Sequence, residues 1–367
     1  MRPGPANSLA DVSGLRVGHA QRAEGGYLTG TTVVLAPPSG AVAGVDVRGA
    51  APGTRETELL DPRNLVSRVH AVVLSGGSAY GLSAACGVID RLADAGIGYP
   101  VAGGVVPIVP AAVIFDLGRG GTFRATPDAT FGTAAYDAAL TPDGGSPLDG
   151  AAFRTGSPRW PAAHDGEADV VGGAPGTANG SIGAGTGARA GGLAGGVGTA
   201  SVVLPDGTTV AALVVANPVG SVLDPVDGTL AGARYGLPGE FDHLQPPLQE
   251  EVDAWHPENA PSFNTTIGVV ATDRTLTKAQ CGKLAAVAHD GLARAIRPAH
   301  TMTDGDTIFA LATCARPEPG HDTLQELLAA GADVFSRAIA HAVLAATGRE
   351  GAPAYLDVFP SAQRKRS

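Results

Sequence analysis

The chain has 367 residues, enough for one large domain or two ordinary domains with a substantial buried core. It contains 53 glycines and 28 prolines, yet 44% of its residues are hydrophobic and its mean hydropathy is +0.12, which excludes a disordered protein and favours a compact fold with many tight turns. The formal net charge is −10 and the only basic cluster is Arg364, Lys365 and Arg366, which argues against nucleic acid as a partner.

The sequence also bears on the cellular compartment. No continuous apolar stretch reaches about eighteen residues without a charge or a helix breaker, and Asp11 stands where a signal peptide would need an apolar core. Three cysteines at unrelated spacings indicate neither a disulfide framework nor a zinc site. We therefore expect a cytoplasmic protein with no membrane partner, no metal and no cofactor.

The first third of the chain alternates strands, glycine turns and helices. Residues 31–36 and 70–75 are β-rich runs that predict buried strands. After the second run, Gly76-Gly77 forms a turn, and the apolar residues from 82 to 93 then follow helical spacing. Asp61-Pro62 predicts the start of a short helix ahead of the second strand, because aspartate is a common N-cap and proline fits the first helical position.

The middle of the chain has a different character. Residues 140–200 are so rich in glycine that we expect long loops with little regular structure. Residues 201–204 and 210–216 then predict a β-hairpin around a Pro-Asp-Gly turn. The many prolines and acids of residues 236–264 indicate a linker or an exposed surface segment.

The last hundred residues predict a strand, a helix, a strand and a helix in turn, and with the preceding elements they indicate a mixed α/β fold. The four elements are a strand at 265–272, a helix from a Thr275 or Thr277 cap to Ile296, a strand at 307–313 and a helix from about Asp322 to Thr347.

The junction between Asn264 and Thr265 lies where an exposed segment runs directly into a buried strand. If the chain were cut here, Thr265 would gain a free α-amino group. Such an amine titrates near about 8, so it can accept the proton of its own residue's hydroxyl without a histidine. The alternative is an ordinary threonine at the start of a strand.

Seven segments in one order resemble the DmpA-type aminopeptidase family, which includes β-aminopeptidases and nylon-oligomer hydrolases. The resemblance runs from about Asp11 to Ala345 and implies an N-terminal-nucleophile hydrolase with the layered αββα sandwich of that family, formed by residues 1–367 as a single α/β domain. The segments are VDVRGAAPGTRETELLDP, VHAVVLSGGSAYGLSAACGV, VPIVPAAVIFDL, IGAGTGARAGG, VANPVG, NTTIGVVATD and MTDGDTIFALAT.

The resemblance implies a self-processing junction at the NTT motif. Cleavage between Asn264 and Thr265 would produce an α-chain of residues 1–264 and a β-chain of residues 265–367, with Thr265 as the nucleophile in maturation and in turnover. Asparagine followed by threonine is similar to the nylon-oligomer branch, so we expect a substrate nearer to ω-amino acid amides.

The resemblance also implies three supporting residues. Asp304 and Asp306 match a pair of polar residues that orient the new α-amino group and hold its protonation state, although the same motif fits a glycine turn capped by Asp304. Asn217 matches an amide donor that would stabilise the oxyanion. Its alternative is a turn asparagine before Pro218.

Two positions depart from the family pattern. Relatives often carry lysine just before the later glycine pair, where this chain has Ala194, so either Arg189 substitutes from a shifted position or this contact is absent. Some relatives have tyrosine at the position of Phe115, and because phenylalanine cannot donate a hydrogen bond, we expect Phe115 to form a wall of the substrate pocket.

We therefore expect hydrolysis of a small peptide or amide whose acyl side bears a free amino group, of the β-, D- or ω-type, through an acyl-enzyme on Thr265 in a homo-oligomer. Acidic residues near the site would favour a cationic amine. Two alternatives remain: an acyltransferase of the ornithine acetyltransferase type, in which an amine captures the same ester, and a non-catalytic binding protein on the same fold.

Overall fold

The computed structural model describes residues 1–141, 171–172, 176–257 and 263–364. Its larger strands form two sheets of six. The first sheet has the strand order β10-β1-β2-β6-β9-β4. Its strands are β1 (Arg16–Arg22), β2 (Thr29–Leu35), β4 (Thr54–Arg55), β6 (Ala71–Ser75), β9 (Ala111–Val113) and β10 (Val171–Gly172).

The second sheet has the order β13-β14-β15-β16-β3-β5, in which the central pair β15 and β16 is parallel and the other pairs are antiparallel. Its strands are β3 (Ala41–Val47), β5 (Arg68–Val69), β13 (Gly196–Val203), β14 (Thr209–Ala216), β15 (Ile267–Arg274) and β16 (Thr307–Arg316). Two small hairpins complete the strands: β7 (Tyr99–Val101) with β8 (Gly104–Val106), and β11 (Arg189–Ala190) with β12 (Leu193–Ala194).

Six α-helices lie in the described part of the chain. Thr277 caps the helix that follows β15 with a capping box to Gln280, which satisfies the first free N–H groups of that helix. The helices are α1 (Ala84–Asp94), α2 (Ala129–Ala139), α3 (Gln249–Ala254), α4 (Lys278–Ala295), α5 (His321–Leu344) and α6 (Tyr355–Val358).

The two sheets pack face to face between two helical layers. Successive side chains of a strand point to opposite faces, so Val269 packs in the core between the sheets while Val270 packs against the helices. The outer face of the second sheet is covered by α4 and α5, and that of the first sheet by α1 and α2. This arrangement is the predicted αββα sandwich.

Helix α5 is long and apolar enough, by length and composition alone, to cross a membrane. However, 72% of its most apolar window is buried inside the protein, where Phe335 and Ile339 belong to the core against the second sheet. Such burial is typical of the core helix of a folded domain.

Most predicted elements are confirmed with small shifts at their ends, including the hairpin β13-β14 and the final strand-helix-strand-helix order. The helix predicted at Asp61-Pro62 is wrong, because Asp61 instead accepts hydrogen bonds from the backbone and guanidinium of Arg63, and the nearest helical turn is the 3-10 helix Thr57–Leu60.

The expectation of little regular structure between residues 140 and 200 is wrong at its end, where β11, β12 and the start of β13 form. Gly196 and Gly198 belong to β13, and a side chain at Gly198 would collide with the backbone of α5. Glycine therefore brings a strand close to a helix here. Residues 142–170 of this predicted loop lie outside the described part of the chain.

Candidate active site

The parallel pairing of β15 with β16 places the residues that precede both strands side by side. Ile267 is opposite Thr307 in the register, and an isolated parallel bridge joins Asn264 to Asp304. As a result, the predicted cleavage junction and the predicted acidic pair, forty residues apart in sequence, meet at one end of the second sheet. This proximity is a consequence of strand order.

Thr265 is buried, and its hydroxyl lies against the peptide bond that precedes it. Its Oγ1 donates to the carbonyl oxygen of Asn264 at 2.5 Å and accepts a hydrogen bond from the Gly305 N–H at 3.2 Å. The Thr265 N–H donates to the Asn217 carbonyl at 2.9 Å. Backbone groups therefore hold both reactive atoms of Thr265, the hydroxyl oxygen and the nitrogen, in fixed positions.

Gly305 approaches Thr265 so closely that only glycine fits there. A Cβ at this position would lie 2.6 Å from the carbonyl oxygen of Ala51 and 2.8 Å from Oγ1 of Thr265. Both distances are shorter than van der Waals contact permits. The glycine between the two predicted aspartates therefore has a role of its own: it brings a main-chain donor to the hydroxyl of Thr265.

Asp304 and Asp306 are both buried, and each binds the structure around Thr265. Asp306 accepts from the Thr266 N–H at 2.8 Å and from the Nδ1 of His300 at 2.7 Å. Asp304 accepts from both the N–H and the hydroxyl of Thr301, at 2.9 and 2.6 Å, and from Val219. These bonds fix the loops on either side of the nucleophile, and the role of the pair toward a free α-amino group stays a prediction.

Asn217 follows the end of β14 and is completely buried. Its Oδ1 accepts two hydrogen bonds, from Nη1 of Arg119 at 2.6 Å and from the backbone N–H of Arg189 at 2.9 Å. Because both neighbours are donors, they settle which end of the amide is oxygen. The Nδ2 group donates to the carbonyl of Phe115 at 3.3 Å, and its role toward an oxyanion stays a prediction.

Arg119 is the residue that the sequence analysis did not find. Its Nη1 also binds the carbonyl of Gly187 at 2.8 Å, and its Nη2 binds Oδ1 of Asn264 at 3.2 Å, so one guanidinium contacts the side chains of both Asn217 and Asn264. Burial lowers its pKa to about 10, with nearby arginines acting in the same direction and Asp116 against them. Arg119 remains a cation at neutral pH.

The sequence left open whether Arg189 replaces the lysine of relatives or whether that contact is absent, and the positions of its backbone and side chain bear on this question. Its backbone contacts Asn217, whereas its guanidinium lies beside Gly351. Arg349 lies in the same region and binds the carbonyl of Ala188. Ala194, at the position of the family's lysine, donates its N–H to Pro353. The cation that contacts the asparagine side chains is thus Arg119, from a different loop.

A cavity of about 300 Å³ opens onto Thr265 between the ends of the two sheets. Its walls are largely apolar, and Phe115 is one of them, with its ring centroid 5.9 Å from that of Phe263. In the part of the chain that the structure describes, no carboxylate belongs to the lining. The lining residues are Ala51, Pro52, Gly53, Ser78, Ala79, Val113, Ile114, Phe115, Phe263, Asn264, Thr265 and Thr303.

Two histidines, His289 and His300, lie behind the acidic pair. Their rings meet edge to face with centroids 4.8 Å apart, and His289 donates from Nε2 to the Asp46 carbonyl at 2.9 Å. Burial lowers the pKa of His289 to about 4. Across the described ranges, no three His, Cys, Asp or Glu side chains cluster in a way that could hold a metal ion.

Comparisons with known proteins agree with this geometry. The family model described as peptidase family S58 matches residues 7–354. An uncharacterized aminopeptidase of Mycobacterium leprae (strain TN) is 47% identical over 383 residues, covering 98% of this chain and 96% of that protein. The 6-aminohexanoate-oligomer endohydrolase of Kocuria sp. (strain KY2) is 30% identical over 306 residues, covering 83% of this chain and 74% of that protein.

Solved structures show the same fold. The β-aminopeptidase of a Burkholderia species has a TM-score of 0.66 at 22% identity and covers 100% of this chain and 96% of its own. The L-aminopeptidase D-Ala-esterase/amidase of Ochrobactrum anthropi, described as a variant of the Ntn hydrolase fold, has a TM-score of 0.62 at 20% identity, with coverages of 94% and 88%. The chain belongs to peptidase family S58 and is a hydrolase that acts on amide bonds.

Proposed function

We propose that Thr265 is the nucleophile of this hydrolase and that it acts first on its own chain, cutting the bond between Asn264 and Thr265. The observation that carries the proposal is the hydrogen bond from the Thr265 hydroxyl to the Asn264 carbonyl oxygen, at 2.5 Å in a buried site. The Gly305 N–H donates to the hydroxyl oxygen of Thr265. A hydroxyl held against the preceding peptide is the geometry that an intramolecular attack requires.

In maturation, Oγ1 of Thr265 attacks the carbonyl carbon of Asn264. The C–N bond then breaks as the nitrogen takes up a proton, which leaves an ester between Asn264 and the hydroxyl oxygen and a free α-amino group on Thr265. Water hydrolyses this ester, releasing the carboxylate of Asn264 and restoring the hydroxyl. The products are an α-chain of residues 1–264 and a β-chain of residues 265–367.

The two chains would remain one folded unit after the cut. Both chains contribute strands to the second sheet. The central strands β15 and β16 come from the β-chain, and they are flanked by β13 and β14 on one side and by β3 and β5 on the other, all four from the α-chain. Strand β15 pairs with β14 on one side and β16 pairs with β3 on the other. Separating the chains would break both ladders and expose the core, so cleavage changes the site and not the fold.

In turnover, the free amine of Thr265 takes the proton of its own hydroxyl as Oγ1 attacks the substrate carbonyl. The protonated amine then donates to the leaving nitrogen, and an acyl group remains as an ester on Oγ1. Water attacks this ester with the same amine as base. The amide of Asn217, polarised by Arg119 on its oxygen, is the donor that we assign to the developing oxyanion, while the N–H of Gly305 binds Oγ1 itself.

The substrate we propose is a small peptide or a linear amide whose acyl side carries an amino group. In the uncut chain the N–H of Asn264 donates to the Thr303 carbonyl at 3.2 Å, and an amino group of the substrate would take this place. Because no lining residue of the described cavity is acidic, main-chain carbonyls supply the acceptors. The mostly apolar walls suit a hydrocarbon acyl chain.

The experiment is to replace the proposed nucleophile. Thr265→Ala should give one uncut chain of 36.4 kDa and no turnover, whereas the wild type should give fragments of about 26 and about 10 kDa, by the proportion of residues on each side of the cut. Thr265→Ser keeps the hydroxyl and is the matched control, which should still be cut. Amide hydrolysis by an uncut Thr265→Ala chain would contradict the proposal, and an added amine acceptor would show whether acyl transfer competes with hydrolysis.

A further inference from the structure

The side chain of Asn264 occupies a polar pocket of its own beside the nucleophile. It is buried, its Oδ1 accepts from Nη2 of Arg119 at 3.2 Å, and its Nδ2 donates to the carbonyl of Pro218 at 2.9 Å. One side of this pocket is therefore a cationic donor and the other a neutral acceptor. Only a group with an acceptor and a donor side by side satisfies both.

If the proposed function holds, this pocket also receives the acyl part of a substrate. In the self-cleavage step, Asn264 is the acyl group that is transferred to Oγ1 of Thr265. Every later substrate must deliver its acyl group to the same oxygen past the same oxyanion donor. The groups that surround the Asn264 side chain in the uncut protein are consequently those that surround the acyl side chain in the acyl-enzyme.

We propose that the acyl pocket of this enzyme selects a carboxamide three bonds from the scissile carbonyl carbon, as in an asparaginyl residue, and that Arg119 is the specificity-determining residue. When the end of the α-chain leaves, the Nη2 group of Arg119 loses the Asn264 side chain, and the carbonyl of Pro218 keeps only the longer bond from the Gly191 N–H, at 3.4 Å. An asparaginyl acyl group restores both hydrogen bonds.

Other acyl groups satisfy the pocket less well. A carboxylate suits Arg119 but turns its second oxygen toward the Pro218 carbonyl oxygen, and an ammonium suits that carbonyl but meets the charge of Arg119. An apolar side chain of the same shape leaves the Nη2 donor of Arg119 without its acceptor and the Pro218 carbonyl with only the bond from the Gly191 N–H. A site built to hydrogen-bond its substrate discriminates strongly against an analogue that lacks the polar group.

The first test compares matched substrates on the purified, cleaved protein. Asparaginyl, leucyl, aspartyl and β-alanyl para-nitroanilides share one leaving group, and leucine has nearly the shape of asparagine. We expect kcat/KM for the asparaginyl compound to exceed that for the leucyl compound by about 10- to 100-fold. Arg119→Met should remove most of this preference, whereas Arg119→Lys, which retains a donor and a charge, should keep part of it. Equal kcat/KM values for the asparaginyl and leucyl compounds in the wild type would overturn the inference.

The second test uses the uncut chain and does not require turnover. Asn264→Leu should slow self-cleavage by about 10- to 100-fold. Arg119→Met should slow the Asn264→Leu chain by a smaller factor than the wild type, because there only the contact with Asn217 remains to be lost. Additive effects would refute the assigned contact. A chain that never cuts itself overturns the proposed function together with this inference, whereas a cut and active enzyme without preference overturns the inference alone.

Discussion

The two sides of Thr265 carry opposite charge and are built differently. On one side, Asp304 and Asp306 are buried and accept several hydrogen bonds each, from backbone N–H groups and from Thr301 and His300. On the other side, Arg119 binds Oδ1 of both Asn217 and Asn264. The acidic side contacts the backbone that carries the nucleophile, and the basic side contacts the side chains that surround the reacting carbonyl.

This difference agrees with the two separate tasks that the family resemblance implies for the acidic pair and for Asn217. A carboxylate whose lone pairs are used by several N–H groups holds loops in place, and its charge is already partly compensated. A guanidinium on an amide oxygen instead strengthens the donor at the other end of that amide. We propose that the acidic side determines where Thr265 lies, and that the basic side influences how readily charge develops at the carbonyl and on the amine.

The largest effect is expected where the acidic side touches the nucleophile directly. Gly305→Ala would place a methyl group 2.8 Å from Oγ1 of Thr265 and 2.6 Å from the Ala51 carbonyl, so the N–H donor must move away. We expect self-cleavage and kcat to fall by about 10², because a displacement of about 1 Å in the geometry of reacting groups can cost that much. The rate of appearance of the two fragments on a gel measures the first effect.

Gly282→Ala is the matched control for this variant. Gly282 lies inside α4, and a Cβ there would meet no other atom within 4 Å. Alanine is the better helix former, so this variant should be cut at the wild-type rate and be at least as stable. Equal maturation of the Gly305→Ala and Gly282→Ala chains would show that the close approach of Gly305 to Thr265 does not matter.

A smaller effect should distinguish the two sides by its sign. The α-amine of Thr265 must be neutral to act as a base, and a nearby cation lowers the pKa of an amine while a nearby anion raises it. Removing the cation in Arg119→Met should raise the pKa of the amine, and the acidic limb of the kcat/KM profile should therefore move to higher pH by about half a unit to one unit. Asp306→Asn should move it the other way or leave it in place.

Arg119→Lys is the control for that pair, because it keeps the charge and should leave the acidic limb where the wild type has it. The measurement is a profile of kcat/KM against pH for the leucyl compound, which lacks the carboxamide and so reports the amine alone. Upward movement in both Arg119→Met and Asp306→Asn would contradict the assignment of opposite roles.

The smallest effect concerns the stability of the fold, whose dependence on pH is distinct from the pH dependence of activity at the site. His19 in β1 is fully buried, and burial lowers its pKa to about 4 from 6.5. Between these values the unfolded chain binds a proton that the folded chain does not, so the free energy of unfolding falls as the pH falls from 6.5 to 4, by about 3 kcal/mol for this group.

This loss should appear in chemical unfolding of the uncut Thr265→Ala chain at pH 7, 6 and 5. His19→Gln, which retains a polar partner for Thr32, should show a shallower decline over the same range. An unchanged slope in that variant would mean that other groups, such as the buried His289, account for the acid sensitivity.

The sequence by itself determined most of the elements, and it pointed to the residue that we propose as the nucleophile. Hydrophobic periodicity and caps located α4, α5, β14 and β15 within a few residues, because these signals arise from neighbours along the chain. Motifs quoted in order placed Thr265, Asn217 and the acidic pair in one family pattern. Asp61-Pro62 failed because a local hydrogen bond between Asp61 and Arg63 competes with the start of a helix.

Only the tertiary structure decided which side chains act together. Arg119 lies in no recognisable motif, and it reaches Asn217 and Asn264 because a loop of the first layer folds over the end of the second sheet. In the same way, Gly305 became a donor to Thr265 through the parallel pairing of β15 with β16. Contacts between residues a hundred positions apart depend on the order of the strands and on the paths of the loops. The periodicity of hydrophobic residues along the chain determines neither of these.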